Sequence, residues 1–357
     1  MTSPAENRFK EIRPLWAWLL LGLTAGLSVY GVYVRGKTQA LTMPTDNLTQ
    51  ADFALYQRII NRMRTGEGYY TAVGTELRAR QSPVRPFLTW RPPTVAWLMS
   101  RFPNIVNGII IFMLIAAALC LWVRYLHREG PLWMPIAGGV ILFISLILDC
   151  LWPLCLLHET WSGLCIVLSL GLYGRGYSLL SLVFGMLALF FRELALPFVA
   201  VMLAMAYWEG RKREALAWLL GVMAFGIFLG IHAWFVSRQL TAADVLVGPG
   251  WLHLGGWPYV IKTARANIIL LTAPSWVAGL LLPFLLLGLA SWSGPVGTRV
   301  ALTVGVYAVA YLFVGRGYHA YWGLMYAPLL PLGLVFAPRA VGDLLRAVCR
   351  RRVLDGK

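Results

Sequence analysis

The chain has 357 residues, 59% hydrophobic and only 13% charged, with a formal net charge of +16. A water-soluble domain carries about 25% charged residues, so the missing charge makes lipid the solvent and excludes an ordinary soluble enzyme. The positive balance does not indicate a nucleic-acid partner, because the basic residues fall in loops between apolar stretches, as topology signals and candidate phosphate ligands. The five cysteines (Cys120, Cys150, Cys155, Cys165, Cys349) lack paired spacing and give neither a disulfide framework nor a zinc motif.

A bilayer core is crossed by about 20 mostly apolar residues. In chain order the apolar stretches predict about ten spans in one transmembrane domain, 1–357, near 14–34, 105–126, 133–152, 154–173, 177–191, 194–208, 216–236, 267–290, 300–315 and 321–337. The fold class expected is therefore all-α, a polytopic helix bundle. The first span follows Arg8, Lys10 and Arg13 without a small-residue cleavage site, so it reads as a retained anchor. Alternate short loops carry Arg124 and Arg128, Arg175, Arg211-Lys212-Arg213 and Arg299, and the tail carries Arg346 and Arg350-Arg351-Arg352. The positive-inside rule puts that side, with both termini, in the cytoplasm. The segment 35–104 then forms a first external loop, since segments longer than about 60 residues translocate whatever their charge. The basic tail and the absence of retention signals suit a bacterial inner membrane.

This topology gathers carboxylates on the external side, among them Asp46, Asp52, Glu159 and Glu193, together with arginines that include Arg80, Arg91 and Arg192, and with His158 and His319. Ionisable groups at or below a membrane surface are costly to place and are functional candidates. Carboxylates that accept protons beside guanidiniums suited to phosphate are equipment for moving a group off a phosphorylated lipid.

Within the first loop, Thr49 to Gly68 reads as an amphipathic helix lying in the interface plane. Phe53, Tyr56, Ile60 and Met63 recur at spacings of three and four, Arg58 and Arg62 share another face, and Gly66 and Gly68 stop it. Asp52 falls in its first turn, one turn before Tyr56. Tyr69-Tyr70 follow, then Trp90-Arg91-Pro92-Pro93, whose proline pair fixes an extended approach to the next span.

Asp52-x-x-x-Tyr56, the glycine turn with Tyr69-Tyr70, and Arg91-Pro92-Pro93 resemble the first external loop of GT-C superfamily integral membrane glycosyltransferases. His158-Glu159, Arg192-Glu193 and Tyr318-His319-Ala320-Tyr321 are similar to later GT-C motifs, and the whole hydropathy plan is of that type. The nearest likeness is to transferases that use polyprenyl-phosphate sugars, including the α-mannosyltransferases of the bacterial envelope. The resemblance implies Asp52 as catalytic base, with Asp46, Tyr56, Arg91, Glu159, Arg192, Glu193, His319 and Tyr321 at the substrate. Three features depart from the pattern: Asp52 is followed by Phe53 where many relatives carry a second acid, Arg91 stands where lysine is common, and no large C-terminal soluble domain follows.

Plainer roles exist for each of these residues. Thr49 with Asp52 fits an [ST]-x-x-[DE] capping box, and Asp46 fits a turn or N-cap. Arg91 is a loop charge or a phosphate ligand. Arg192-Glu193 is a structural ion pair at a helix start or part of a site. Glu159 reads first as the partner of a nearby arginine, with substrate hydroxyls or a metal as alternatives, and His319 is an interfacial anchor or a substrate contact. His158, His253 and Asp149 lack metal-ligand spacing.

The activity implied is inverting transfer of a sugar, mannose as the first choice, from a polyprenyl-phosphate donor to a hydroxyl of a glycan, glycolipid or protein acceptor. The lipid tail lies among membrane lipids, and guanidiniums neutralise the phosphate, so no divalent metal or other cofactor is expected. The rival is a transporter or flippase of a phosphorylated lipid. Such proteins use internal repeats and broken helices at the midplane, whereas here no repeated half is visible and the charges favour one face.

Overall fold

The structure is a computed structural model and describes residues 7–34, 47–150, 154–244 and 250–354. Among the described residues it is all-helical, with no β-strand. The α-helices are, in chain order, α1 (Pro14–Tyr33), α2 (Asn47–Arg64), α3 (Tyr69–Ala79), α4 (Thr94–Arg101), α5 (Asn104–Glu129), α6 (Trp133–Leu146), α7 (His158–Gly174), α8 (Ser178–Phe191), α9 (Leu196–Trp208), α10 (Lys212–Gln239), α11 (Gly256–Ala264), α12 (Ile268–Thr272), α13 (Ser275–Ser291), α14 (Gly294–Phe313) and α15 (Gly333–Leu354).

Five of these are long and apolar enough to cross a membrane: α1, α5, α6 with its 3-10 extension to Cys150, α10 and α14. The helices α8 and α13, and the stretch Glu193–Trp208 that contains α9, are apolar but shorter. The expected stretch 267–290 is divided by Ala273-Pro274 into α12 and α13. The expected last span, 321–337, is not one straight helix. Residues Gly317–Met325 form a 3-10 helix, and the axis turns by 62° before the helical run Leu330–Arg350. Pro328 and Pro331 lie in this corner, and each removes a backbone donor that an α-helix would need. The expected division at Trp152-Pro153 lies outside the described residues.

Polar and apolar residues are distributed as lipid demands. Large apolar side chains face outward, with Leu179 71%, Ile227 67% and Trp234 57% exposed, while Arg192, Arg299 and Glu159 are at 1% or less. Water would penalise an apolar surface of this extent, and hydrocarbon does not. The core is built around α7, buried along its whole length from His158 to Leu172. Close approaches use small residues: the backbones of Gly31 and Gly279 touch between α1 and α13, and those of Gly288 and Gly333 between α13 and α15.

A compact cap formed by α2, α3 and α4 sits at the end of the bundle where α7 begins. Phe53, Tyr56 and Ile60 of α2 are buried in it. On the other face Arg58 and Arg62 each reach Glu76 of α3 at 2.6 Å. Burial alone would raise the Glu76 pKa, but these two guanidiniums hold it below the usual carboxylate range. The far end of α2 is tied by Arg64, which donates to the Phe102 carbonyl and to Asn104. The cap is thus fixed to the start of α5.

Candidate functional site

Helix α2 begins at Asn47, so Asp52 lies beyond its first turn, which holds no acidic residue. This corrects the expected helix start and removes the capping-box role, because Thr49 is already inside the helix and the orphan amide donors lie before Asp52. The carboxylate is spent elsewhere. It accepts hydrogen bonds from Arg80 Nη1 at 2.8 Å and from the Tyr321 hydroxyl at 3.2 Å. Arg80 is the C-cap of α3, and Tyr321 comes from the 3-10 helix Gly317–Met325. Asp52 therefore stands where the cap meets the C-terminal part of the bundle.

One turn after Asp52, the Tyr56 hydroxyl accepts a long hydrogen bond from Arg91 Nε at 3.4 Å. Arg91 has a left-handed backbone (φ +41°), uncommon outside glycine. The conformation is held from both sides: Pro92-Pro93 follow, and the Tyr69 hydroxyl donates to the carbonyls of Trp90 (2.6 Å) and Arg91 (2.9 Å). Trp90 is buried, and its indole donates to the Val84 carbonyl at 2.9 Å.

Beneath the cap, His158-Glu159 open α7 and Arg192-Glu193 occupy the break between α8 and α9. Arg192 Nε donates to Glu159 at 2.7 Å and Nη1 donates to Glu193. The guanidinium also lies over the Trp322 ring at 5.7 Å, and Trp322 stacks on His319 with centroids 4.1 Å apart. Gly163 makes this packing possible, because a Cβ there would strike the Leu324 carbonyl. One turn from Glu159, the missing side chain lets the 3-10 helix lie directly on α7.

The two layers meet at Tyr56, whose ring is edge-on to His158 at 5.1 Å. Its pKa is raised first by burial, with Arg91, Asp52, Glu159 and Arg192 all close enough to act on it. For Arg91, burial opposes charge, but Tyr56, Tyr321, Glu193 and Glu159 together hold the guanidinium firmly protonated. The site arginines differ in one respect. Arg80 is paired with Asp52, and Arg192 with Glu159 and Glu193. Among the described residues Arg91 has no carboxylate partner; its contacts are Tyr56 and, at 3.4 Å, the Leu88 carbonyl. Arg192 Nη2 is buried without an acceptor, and Glu193 Oε2 without a donor. Unused donors in a buried place are costly, and here they belong to groups that bind oxyanions well.

A narrow cleft with about 20 Å³ of free volume runs into this place between α2, α3 and α4. Leu55, Ile60, Val73 and Val95 give it apolar walls, and Arg91, Tyr69 and His158 give it a polar end.

Compared with family models, curated proteins and solved structures, the chain finds no match.

Of the residues singled out in the sequence, the structure brings Asp52, Tyr56, Arg91, Glu159, Arg192, Glu193, His319 and Tyr321 to one end of the bundle, drawn from five separate segments. Asp46 lies outside the described residues. Two participants were not singled out in the sequence. Arg80 stood among many loop arginines, and only the pairing of α2 with α3 selects it. Trp322 carries no signal of its own in the sequence. His158, an external candidate beside Glu159 in the sequence, is brought edge-on to Tyr56.

Proposed function

We propose that the protein is an inverting glycosyltransferase of GT-C type that moves a sugar, with mannose as the first choice, from a polyprenyl-phosphate donor to an acceptor hydroxyl on a glycan, glycolipid or protein. In this reading the chain crosses a bacterial inner membrane about ten times, with both termini cytoplasmic and the α2–α4 cap on the periplasmic side. The observation that carries it is the meeting of an oriented carboxylate, Asp52, with two arginines. No carboxylate among the described residues pairs Arg91, which lines an apolar cleft, and Nη2 of Arg192 is buried without an acceptor.

The chemistry follows from those positions. The acceptor oxygen attacks the anomeric carbon as the bond from that carbon to the phosphate oxygen breaks. The acceptor proton passes to Asp52, held in place by Arg80 and the Tyr321 hydroxyl. The electron pair of the broken bond leaves with the polyprenyl phosphate, whose growing charge is met by Arg91 and by Nη2 of Arg192. A single displacement inverts the anomeric centre. Glu159 and Glu193 hold Arg192 in position.

The test is transfer of radiolabelled mannose from polyprenyl-phosphate-mannose by the purified protein, with crude envelope acceptors present. Asp52→Asn should lower turnover by at least about a hundredfold, the usual scale for losing a general base, while leaving the thermal unfolding midpoint unchanged. Equal activity in both proteins removes Asp52 from the role of base. Absence of turnover with any polyprenyl-phosphate sugar defeats the transferase reading in favour of lipid transport.

A further inference from the structure

At the opposite end of α7 the bundle carries a second feature that the proposed transfer does not use. An open groove of about 660 Å³ runs between α5 and α6. Arg124, His127 and Arg128 from the last turns of α5 stand at its mouth, joined by Arg175, the C-cap of α7. Its floor is Val123, Ile136, Gly139 and Val140, with Ile136 62% and Val140 53% exposed.

The nearby basic loop after α9 is different. There Arg211 pairs with Glu209 and Glu214, and Glu209 also takes Arg299. At the groove, by contrast, none of Arg124, His127, Arg128 and Arg175 has a side-chain hydrogen bond or an acidic partner among the described residues. Arg124 and Arg128 are one turn apart on one face of α5, while Arg175 comes from another helix, so the convergence belongs to the fold and not to a run of sequence. A cationic rim above an outward-facing apolar trough is complementary to an acidic headgroup with acyl chains attached.

We propose that this groove binds one molecule of an anionic phospholipid, with its phosphate on Arg124, Arg128 and Arg175 and an acyl chain along Ile136 and Val140. The site requires only that the bundle sit in a membrane and is independent of group transfer at the other end.

Native mass spectrometry of the full-length protein released from phosphatidylcholine nanodiscs doped with phosphatidylglycerol tests it directly. The wild type should retain a single phosphatidylglycerol. An arginine at an anionic lipid surface contributes roughly fivefold in affinity, so Arg124→Gln/Arg128→Gln/Arg175→Gln should weaken retention on the order of a hundredfold. Ile136→Ser/Val140→Ser keeps the cations and should also lose the lipid. Both sets change mainly exposed side chains, so the fold is expected to hold, and an unchanged thermal midpoint checks it. Equal retention by the triple variant and the wild type overturns the proposal. So does displacement of the lipid by glycerol phosphate at equal concentration, because it would make the groove a phosphate site with no use for acyl chains.

Discussion

Two clusters of buried charge lie at the two ends of α7, and they are built differently. At the C-terminal end, the Tyr173 ring faces the guanidiniums of Arg299 at 4.3 Å and Arg211 at 5.0 Å. Arg299 forks onto both oxygens of Glu209, at 2.8 and 2.9 Å, and Arg211 reaches Glu209 and Glu214. Every arginine there is matched to a carboxylate. At the N-terminal end, Arg91 has no carboxylate, Arg192 keeps an unused Nη2, and Glu193 keeps an unused oxygen. Both clusters cost desolvation. Each leaves buried guanidinium nitrogens without a hydrogen bond, Nε of Arg211 and Arg299 at one end and Nη2 of Arg192 at the other. The second differs in holding Arg91, an arginine with no carboxylate partner among the described residues. Burial of charge therefore does not by itself mark a site, and neither does a leftover buried donor; what separates the two ends is Arg91.

The sharpest way to break this comparison is Arg91→Gln. With no ion pair to lose, the variant should keep its thermal unfolding midpoint within about 2 °C, the effect of a substitution worth a few tenths of a kcal/mol. The kcat/KM for donor sugar should fall by roughly a hundredfold to a thousandfold, the scale of losing one transition-state charge contact. Arg91→Lys should recover only part of that, since a point charge replaces a planar fork. A midpoint that fell along with activity would make Arg91 another structural arginine and erase the distinction.

The reverse outcome is expected at the other end. Arg299→Gln leaves Glu209 with only Arg211 and removes a fully buried partner, so stability should drop by about 3 kcal/mol, near the lower bound for breaking a buried pair. Transfer per folded molecule should stay within about twofold, because the two clusters share no partners and distant changes are additive. Thermal unfolding in detergent, paired with turnover of the surviving folded fraction, separates the two quantities. A specific loss of turnover would show that the matched cluster also serves the reaction.

The parts of this architecture that the sequence discloses are those written in local periodicity. Apolar run length marks the helices α1, α5, α10 and α14, since hydrocarbon thickness translates directly into residue count. The i, i+4 spacing of Asp52 and Tyr56 puts both on one face of α2 wherever that helix starts. The corner at Gly317–Met325 was not visible, because apolar composition continues through it and only Pro328 and Pro331 hint at the turn. Nor was Arg80 as the partner of Asp52: the residues are 28 positions apart, and their meeting depends on how α2 docks against α3. The difference between Arg91 and Arg192 was equally hidden, since hydrogen-bond bookkeeping exists only after folding.

The smallest effect concerns how the α2–α4 cap is held beside the site. Arg78 of α3 donates to both oxygens of Asp244, at 3.0 and 2.8 Å, tying the cap to the segment after α10. The Arg78 hydrogen bonds, aided by the Thr241 amide, hold the Asp244 pKa well below its ordinary value. A carboxylate depressed in the folded state contributes stability that is complete above its unfolded pKa, about 3.9, and is lost as pH falls from there toward the folded value. The wild type should thus lose a few degrees of thermal midpoint below about pH 4 by this route. Arg78→Ala should already be lower at pH 7 and should lose less on acidification, because Asp244 then titrates nearly as it does in the unfolded chain. Parallel curves for the two proteins would mean that the tie carries no proton-linked stability, and that the cap is held by the buried faces of α2 and α3 alone.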